Sequence, residues 1–298
     1  MFKNIGIIGV GLIGGSIGLA VKQTWPATRV VGYGRNAVRL KKAHEYFALD
    51  QYSTSPEVLA DCDFIIVCTP VDVIAHTIKK LLPYLAPNVL ITDAGSTKEA
   101  IVRTIEHIAG QFRFVGSHPI AGKEKSGVGY AEAALFVGRP CVVVPTKKSD
   151  AANVRKVKSF WKSLGSVVLE MSAHKHDRIL ALSSHFPHWL MWNFIAFANN
   201  EQTAPGVLEK IVGSGFLDMT RISAGDAIIW RDIIVENKNN IATLLDRFIA
   251  QLQKTKKYLN DESGKEAAEF INAQARRRRK LAKVKSESIV IDKKIKSY

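Results

Sequence analysis

Cysteine is scarce in this 298-residue sequence, and long uninterrupted hydrophobic runs are missing. The three cysteines, Cys62, Cys68 and Cys141, are too few for a disulfide framework and lack the spacing of metal ligands. No apolar run reaches the length of a membrane span without a glycine interruption. These absences, together with ordinary apolar and charged fractions, predict a globular protein with reduced cysteines and a cytoplasmic location.

Acidic residues are also few: the sequence has 27 acidic and 42 basic residues, which gives a net charge of +15. The segment Lys265–Tyr298 alone holds 11 basic and 4 acidic residues, and its densest cluster is Arg276–Lys280. Two interpretations of this tail stay open, a solvated or frayed helix end and a weak contact with a polyanion. Nothing in it resembles a module that reads bases, so no specific nucleic-acid partner is expected.

The amino terminus carries the pattern of a dinucleotide-binding site. A β-branched run meets Gly9-x-Gly11-x-x-Gly14, and an apolar helix pattern and a second β-like run follow. Gly9 permits a tight turn, Gly11 lets the backbone approach a pyrophosphate, and Gly14 lets the helix pack closely on the strand. The first helical N–H groups, those of Leu12 and Ile13, would face the phosphates. A signal peptide is the alternative, which five glycines in ten residues and the lack of a cleavage site disfavour.

The residues after the second β-like run bear on the choice of nicotinamide cofactor. An NAD enzyme usually has Asp or Glu about 20 residues past the fingerprint, but here Gly34 occupies that place and Arg35 follows. The missing carboxylate removes repulsion toward a 2′-phosphate, and Arg35 could pair with it, which favours NADP. Arg35 could instead stack on adenine and leave NAD acceptable as well. Thr69 and Pro70, at the end of a later strand, are further candidate cofactor-binding residues.

Strand and helix signals alternate over residues 1–148, as in a doubly wound α/β domain. After the fingerprint unit, the predicted strands lie at residues 63–68, 89–93, 112–116 and 141–144. A loop is expected to begin at Ser117. Because ligands sit outside the carboxyl ends of parallel strands, the loops at residues 69–72, 93–98 and 117–127 should converge on one cleft.

The β pattern nearly vanishes in the second half, where only residues 167–170 could form a further strand. From His176 onward, helical periods are apolar on more than one side, and such helices need a large partner surface. We therefore expect an N-terminal Rossmann-like domain over residues 1–148. An all-α C-terminal dimerisation domain over residues 149–298, ending in the basic tail, would make the protein a homodimer.

Three polar segments are candidates for the functional site. They are residues 93–98, residues 117–127, and a split segment made of residues 184–188 and 213–221, with Trp230 beyond. Their motifs include GSHPIAGKEKSG, SSHFPH and GSGFLDMTRISAGDAIIWRDI. In these motifs and their order, the chain resembles prephenate dehydrogenases, the cyclohexadienyl dehydrogenase group of tyrosine biosynthesis, over nearly its full length. The resemblance implies oxidative decarboxylation of prephenate or its amino analogue arogenate. A nicotinamide would take hydride from the ring carbon bearing the hydroxyl, carbon dioxide would leave, and the ring would become aromatic.

The residue types agree with that chemistry on separate grounds. A neutral imidazole suits acceptance of the ring hydroxyl proton near neutral pH; His118 is the candidate, and the family's catalytic histidine falls on it. Ser96 matches a family serine that bonds both the substrate hydroxyl and the histidine. Arg221 aligns with the family's substrate-binding arginine, and its planar fork can bind both oxygens of one carboxylate. The alternatives are a histidine that only packs its loop and an arginine paired with Asp218.

The remaining candidates are further histidines and neighbouring polar or aromatic residues. His185 and His188 would share a helix face, and with other histidines nearby a zinc site is an alternative, although acidic and thiolate partners are poorly placed and the resemblance implies no metal. By resemblance, His188 contacts substrate, and His185 and Ser214 are further substrate-binding candidates. His176 and Asp177 also match family positions.

For two candidates, a purely structural role is an equally or nearly equally good interpretation. Glu124 corresponds to a family glutamate at the active-site entrance, or it is merely an exposed loop carboxylate. Trp230 packs against the cleft wall as a substrate-site residue, or it only fills the core.

Two other functions have the same first domain. A β-hydroxyacid or imine reductase would need a lysine-centred motif on the helix that joins the domains, which we do not find. A redox sensor would bind NADP without catalysis and associate with polyanions through Arg276–Lys280. The choice between prephenate and arogenate, and feedback inhibition by tyrosine, stay open at this point.

Overall fold

A computed structural model describes residues 2–123, 125–201 and 206–295 of the chain, with side chains described up to residue 283. The chain divides into two compact units, the first ending at Lys238 and the second beginning at Asn239. All candidate site residues belong to the first unit. The predicted domain boundary between residues 148 and 149 stays a prediction.

A six-stranded parallel sheet forms the centre of the first unit, in the order β3-β2-β1-β4-β5-β6. Its strands are β1 Asn4–Ile8, β2 Arg29–Tyr33, β3 Gln51–Ser53, β4 Phe64–Val67, β5 Leu90–Asp93 and β6 Arg113–Phe114. The strand order reverses between β1 and β4, which is the point where doubly wound sheets bind ligands. The predicted Rossmann-like architecture is confirmed.

Helices cover both faces of this sheet because alternate strand residues point to opposite sides. Five helices do so: α1 Leu12–Thr24, α2 Ala37–Glu45, α3 Ile74–Leu81, α4 Glu99–His107 and α5 Ala151–Ser163. Ile5 and Ile7 of β1 pack in the core that contains buried residues of α1, α2 and α5. Ile8 packs in the core that contains residues of α3 and α4. The fully buried β4 contributes to both cores, as its uninterrupted apolar sequence predicts.

A second, three-stranded sheet follows, with β7 Gly116–Pro119 antiparallel to β8 Pro140–Val144 and β9 Val167–Glu170 parallel to β8. The prediction that a loop begins at Ser117 is therefore wrong, because Ser117, His118 and Pro119 lie in β7. Their polar and proline character suggested a loop, but β7 is an edge strand, where a terminal proline costs no ladder hydrogen bond. The strand expected at residues 167–170 is confirmed as β9.

The rest of the chain is helical. It comprises α6 Ala173–Leu180, a π-helical turn Ala181–His185, α7 Phe186–Asn200, α8 Leu208–Ile211, α9 Ser214–Thr220, α10 Ala227–Glu236, α11 Lys238–Lys256 and α12 Lys265–Ile295. Short 3₁₀ turns lie at Pro56–Leu59, Val71–Val73, Leu82–Tyr84, Val128–Tyr130, Ala133–Phe136, Arg221–Ala224 and Lys257–Asn260. In the described part of the chain, none of the helices is long and apolar enough to cross a membrane.

Close packing of α1 depends on a glycine that the fingerprint does not include. A Cβ built on Gly18 would lie 2.1 Å from the carbonyl oxygen of Ala48, a backbone atom that cannot move aside cheaply. We expect Gly18→Ala to destabilise the protein by about 1–3 kcal/mol, because overpacking outweighs the gain in helix propensity. Gly215→Ala is the matched control, since Gly215 is also helical and nothing lies within 4 Å of its built Cβ. Urea unfolding of both variants tests this, and equal stabilities would contradict it.

Candidate functional site

The carboxyl ends of three neighbouring strands lie level at one edge of the parallel sheet. Ile8 of β1 pairs with Val67 of β4, and Val67 pairs with Asp93 of β5. The turns that follow these residues therefore start side by side, as two of the three converging loops predicted from the sequence require. We refer to this edge, formed by the turns after β1, β4 and β5, as the nucleotide edge.

The glycine fingerprint at the nucleotide edge has the geometry that a dinucleotide needs. Gly9 has φ +87°, and its built Cβ would lie 2.8 Å from the Cys68 carbonyl oxygen, so a side chain is excluded there. The built Cβ of Gly14 would lie 2.5 Å from the Gly9 carbonyl oxygen. By contrast nothing lies within 4 Å of the built Cβ of Gly11, which leaves open space in front of the helix terminus. Gly11 is the N-cap of α1 and offers no side-chain acceptor, so the N–H groups of Leu12 and Ile13 suit a phosphate.

Two hydroxyl groups near the nucleotide edge are buried without a hydrogen-bond partner among the described residues, Thr69 Oγ1 and Thr97 Oγ1. Thr69 follows β4 directly after Cys68, and Pro70 then opens the 3₁₀ turn Val71–Val73. A buried hydroxyl without a partner is costly unless a ligand or water satisfies it. Together with the open space at Gly11, the orphaned Thr69 hydroxyl fits a bound nicotinamide dinucleotide.

The end of β2 has basic but no acidic side chains. Gly34 follows Tyr33, the exposed Arg35 comes next, and the Asn36 side chain accepts a hydrogen bond from the Arg39 backbone N–H at 3.0 Å, which caps α2. Asn36 is thereby committed to the helix start, whereas the Arg35 side chain extends toward solvent.

His118 is a buried residue of β7 and contacts a second buried histidine. Its Nδ1 lies 2.9 Å from Nε2 of His176 in α6, and Nδ1 of His176 lies 2.6 Å from Oδ1 of Asp177. Burial, then the nearby His176 ring and the Lys98 ammonium, hold the pKa of His118 well below its ordinary value. The ring is therefore neutral near pH 7, as acceptance of a proton requires.

Asp177 occupies the amino terminus of α4. Its Oδ1 accepts from the Lys98 backbone N–H at 2.8 Å, and its Oδ2 accepts from the Glu99 backbone N–H at 2.9 Å. Burial alone would raise the pKa of this carboxyl, but hydrogen bonds from His176 and from these two amides leave it below the ordinary value. The carboxylate is thus ionised and fixes α6 to the start of α4.

A fully buried ion pair organises the turn after β5. The Lys98 ammonium donates to Asp93 Oδ2 and, at 2.9 Å, to the Thr97 carbonyl oxygen. Asp93 also accepts from the backbone N–H groups of Gly95 at 2.9 Å and Ser117 at 3.1 Å. This pair was not predicted from the sequence, although an aspartate at a strand end with a lysine five residues later is a signal for it.

His185, in the π-helical turn, is held by Asn237 on another helix terminus. Asn237 Nδ2 lies 2.9 Å from His185 Nδ1 and donates to the Asp177 carbonyl oxygen at 2.8 Å. Burial lowers the pKa of His185 to about 4. No pattern in the sequence points to Asn237, because it lies 52 residues beyond its histidine partner and belongs to no recognised motif.

His188, Trp230 and Arg221 form the outer part of the candidate site. The His188 ring stacks on Trp230 with centroids 3.7 Å apart, and its Nδ1 donates to the Ser184 carbonyl oxygen at 2.8 Å. Burial, and to a smaller extent the Arg221 guanidinium, lower the pKa of His188. Gly225 makes this stacking feasible, because its built Cβ would lie 2.5 Å from Trp230 Nε1.

The other predicted site residues are placed less centrally. Ser96 is half-buried in the turn after β5, and within the described ranges no hydrogen bond joins its hydroxyl to His118, whose Nδ1 faces His176 instead. Ser214 is exposed at the start of α9. Glu124 lies outside the described residues. Among the described side chains, those of residues 2–123, 125–201 and 206–283, no group of three His, Cys, Asp or Glu is arranged to hold a metal ion.

Comparisons with known proteins agree with this geometry. One family model, described as prephenate dehydrogenase, nucleotide-binding domain, matches residues 17–170. A second, described as prephenate dehydrogenase, dimerization domain, matches residues 172–273, so the two meet between β9 and α6.

Individual relatives cover most of the chain. A cyclohexadienyl dehydrogenase from Zymomonas mobilis is 30% identical over 89% of this chain and 91% of its own length. The crystal structure of Aquifex aeolicus prephenate dehydrogenase in complex with hydroxyphenyl propionate and NAD+ has a TM-score of 0.88 and 34% identity, covering 94% of this chain and 99% of that one. Synechocystis arogenate dehydrogenase has a TM-score of 0.81 and 26% identity, covering 93% of this chain and 99% of that one.

The buried neutral His185 makes stability depend on pH. In the unfolded chain an imidazole titrates near its ordinary pKa, whereas in the folded protein the pKa of His185 is about 4. Between these values the unfolded state binds more protons, so this contribution is complete above the unfolded pKa and is lost as pH falls toward the folded pKa. We expect the free energy of unfolding to fall by about 2 kcal/mol from this group between pH 7 and pH 5. Urea unfolding of the protein and of His185→Gln measures it, and an equally steep fall in the variant would contradict the assignment.

Proposed function

The chain belongs to the prephenate dehydrogenase family, and from this premise we propose that it catalyses the NAD(P)-dependent oxidative decarboxylation of prephenate or arogenate in tyrosine biosynthesis. The observation that carries the proposal is the buried neutral His118, one residue beyond the Ser117 amide that binds Asp93 at the end of β5. A proton acceptor beside the nucleotide edge is what oxidation of a ring alcohol needs.

His118 Nε2 is the atom that takes the hydroxyl proton. When bound, the nicotinamide accepts a hydride from the ring carbon that carries the hydroxyl. As the carbon–oxygen bond gains double-bond character, His118 Nε2 takes the proton from that oxygen. Loss of carbon dioxide then leaves a phenolate, and His118 returns the proton to the phenolate oxygen to give the phenol. Because His176 is fully buried, water does not compete for the inner contact between the two histidine rings. Ser96 is proposed to share the substrate hydroxyl.

Substrate carboxylates are bound by the outer part of the site. Arg221 is proposed as the clamp for one carboxylate, since each charged hydrogen bond contributes roughly 1.5–3 kcal/mol. His188 is held in place by stacking on Trp230. It lies near enough to Arg221 for the guanidinium to lower its pKa. The full set of proposed substrate-binding residues is Arg221, His188, His185, Ser214, Glu124 and Trp230.

The cofactor is proposed to be NADP in preference to NAD. Support comes from the end of β2, where Gly34 replaces the usual acidic residue and the exposed Arg35 follows. The proposed cofactor-binding residues are Gly9, Gly11, Leu12, Ile13, Gly14, Gly34, Arg35, Thr69 and Pro70.

The assembly is proposed to be a cytoplasmic homodimer through the C-terminal helices. The match to a dimerization-domain model supports it, as do exposed apolar side chains of α7 and its neighbours, among them Phe197 at 60% exposure. The polyanion-binding redox sensor, the alternative function, gains no support from the relatives described above. All five residues of the basic cluster Arg276–Lys280 are exposed in α12, which both interpretations of the tail require.

Removal of the proton acceptor tests the proposed reaction. We expect His118→Asn to lower kcat by roughly 10²–10⁴-fold with little change in KM, because substrate binding does not depend on proton transfer. Formation of reduced cofactor is followed spectrophotometrically with prephenate and with arogenate, which also identifies the substrate. Arg221→Ala is the contrasting variant, since it should raise KM by about 10- to 100-fold. An unchanged kcat in His118→Asn would remove His118 from the chemistry.

The cofactor preference rests on one guanidinium. Arg35→Ser should raise KM for NADP by about 10-fold or more while leaving KM for NAD within about threefold, because only NADP carries a 2′-phosphate with which Arg35 can pair. Arg39→Ser is the control, an exposed arginine on the adjoining helix. Equal losses for both cofactors in Arg35→Ser would indicate adenine stacking instead.

A further inference from the structure

His118, His176 and Asp177 form a chain of two short contacts that ends at a helix terminus. His118 Nδ1 and His176 Nε2 are 2.9 Å apart, and His176 Nδ1 and Asp177 Oδ1 are 2.6 Å apart. All three side chains are buried, with His176 fully inaccessible. His118 Nδ1 and both ring nitrogens of His176 each have one partner in this series of contacts. The ionisation state of the Asp177 carboxylate therefore determines which of these nitrogens carry a hydrogen.

The carboxylate of Asp177 can only accept hydrogen bonds. Both oxygens already receive a backbone N–H, from Lys98 at 2.8 Å and from Glu99 at 2.9 Å. Hydrogen bonds from these fixed donors stabilise the ionised form. The His176 nitrogen 2.6 Å away must therefore carry a hydrogen. A lone pair placed there against an anion would be strongly repulsive.

The position of the hydrogen on His176 determines its position on His118, and we refer to this arrangement of hydrogens as the proton order. A neutral His176 with hydrogen on Nδ1 has a lone pair on Nε2, so His118 Nδ1 must donate to it. We propose that His176 and Asp177 are positioning residues that hold His118 in the tautomer with hydrogen on Nδ1 and a lone pair on Nε2. This inference rests on the proposed role of His118 as proton acceptor, for which this tautomer is the competent one.

We refer to His118, His176 and Asp177 as the relay. The groups around it favour neutral histidines and one fixed orientation of their rings. The buried Lys98 ammonium, paired with Asp93, lies close enough to disfavour added positive charge on either histidine. His185, a further ionisable neighbour of His118, is itself neutral at pH 7 because burial lowers its pKa to about 4. Asn237 Nδ2 donates to the Asp177 carbonyl oxygen at 2.8 Å and so fixes the backbone that carries the carboxylate.

The relay also explains what happens to His118 during turnover. A proton that arrives at Nε2 makes His118 cationic for a moment, and its Nδ1–H bond to His176 then strengthens. His176 transmits the attraction of the Asp177 anion without itself touching the substrate. The opposite proton order would place a hydrogen on His118 Nε2 and leave that nitrogen unable to accept the hydroxyl proton.

Histidine ¹⁵N NMR on the full-length protein reads the tautomer directly, with the His118 signals assigned by their loss in His118→Asn. We expect an unprotonated Nε2 and a protonated Nδ1 for His118 in the wild-type protein without substrate. A protonated Nε2 would overturn the proposal whatever the activity. If the wild-type protein shows the expected tautomer but oxidises neither prephenate nor arogenate, the proposed function fails while the relay stands.

Kinetics of variants separate positioning from mere structure. His176→Leu removes the acceptor for His118 Nδ1 and should lower kcat by roughly 10²-fold with KM within about threefold. His176→Gln keeps an acceptor oxygen near that position and should recover kcat to within about tenfold of wild type. His174→Gln, an exposed histidine on the same helix, is the control and should leave both constants unchanged. Equal losses in the Leu and Gln variants would contradict the relay.

Asp177→Asn tests the end of the chain. Asparagine offers one acceptor oxygen where two backbone N–H groups and His176 all require one, so the His118 tautomer should become mixed or reversed and kcat should fall at least 10-fold. Thermal unfolding is measured alongside, because the same carboxylate caps α4. A folded Asp177→Asn variant with the wild-type tautomer would overturn the role of Asp177, and the wild-type NMR result decides the proposal if the variant does not fold.

Discussion

The carboxylate of Asp177 at the amino terminus of α4 is the interaction on which the site depends. It accepts backbone hydrogen bonds from Lys98 and Glu99 and a third hydrogen bond from His176, and it is almost fully buried. A buried anion is tolerated only when its oxygens are satisfied, and here a helix terminus and an imidazole satisfy them. Because α6 supplies the carboxylate and α4 supplies the amides, this one group joins the helical segment to the parallel sheet and aims His118 as a consequence.

The buried pair of Asp93 and Lys98 complements that anchor. Asp93 lies at the last position of β5 and binds the backbone of Gly95 and Ser117, so the turn after β5 and the strand β7 are tied to one carboxylate. Breaking a buried pair by removing one partner typically costs about 3–5 kcal/mol. The catalytic region therefore rests on two buried anions, one that shapes the turn beside the nucleotide edge and one that sets the proton order of the histidines.

Local patterns in the sequence were sufficient for the first half of the fold. The Gly9, Gly11 and Gly14 spacing, the all-apolar β4 and the weak signal at residues 167–170 all correspond to elements of the structure. Local patterns failed at β7, because a strand of serine, histidine and proline exists only through its pairing with β8, more than twenty residues later in the chain. The contacts of His176 with His118 and of Asn237 with His185 join residues more than fifty positions apart, and no residue spacing could reveal them. Resemblance drew attention to His176 and Asp177, but only the geometry gives them a role.

In the proposed reaction, His118 presents Nε2 to the substrate oxygen while its Nδ1 stays bound to His176. A crystal structure of this protein with NADP and hydroxyphenyl propionate, the product-like phenol found in the Aquifex aeolicus complex, measures it most directly. We expect the phenol oxygen to lie within hydrogen-bond distance of His118 Nε2, with the Nδ1 contact to His176 unchanged. A phenol oxygen beyond hydrogen-bond reach of His118, or a His118 ring turned away from His176, would contradict it.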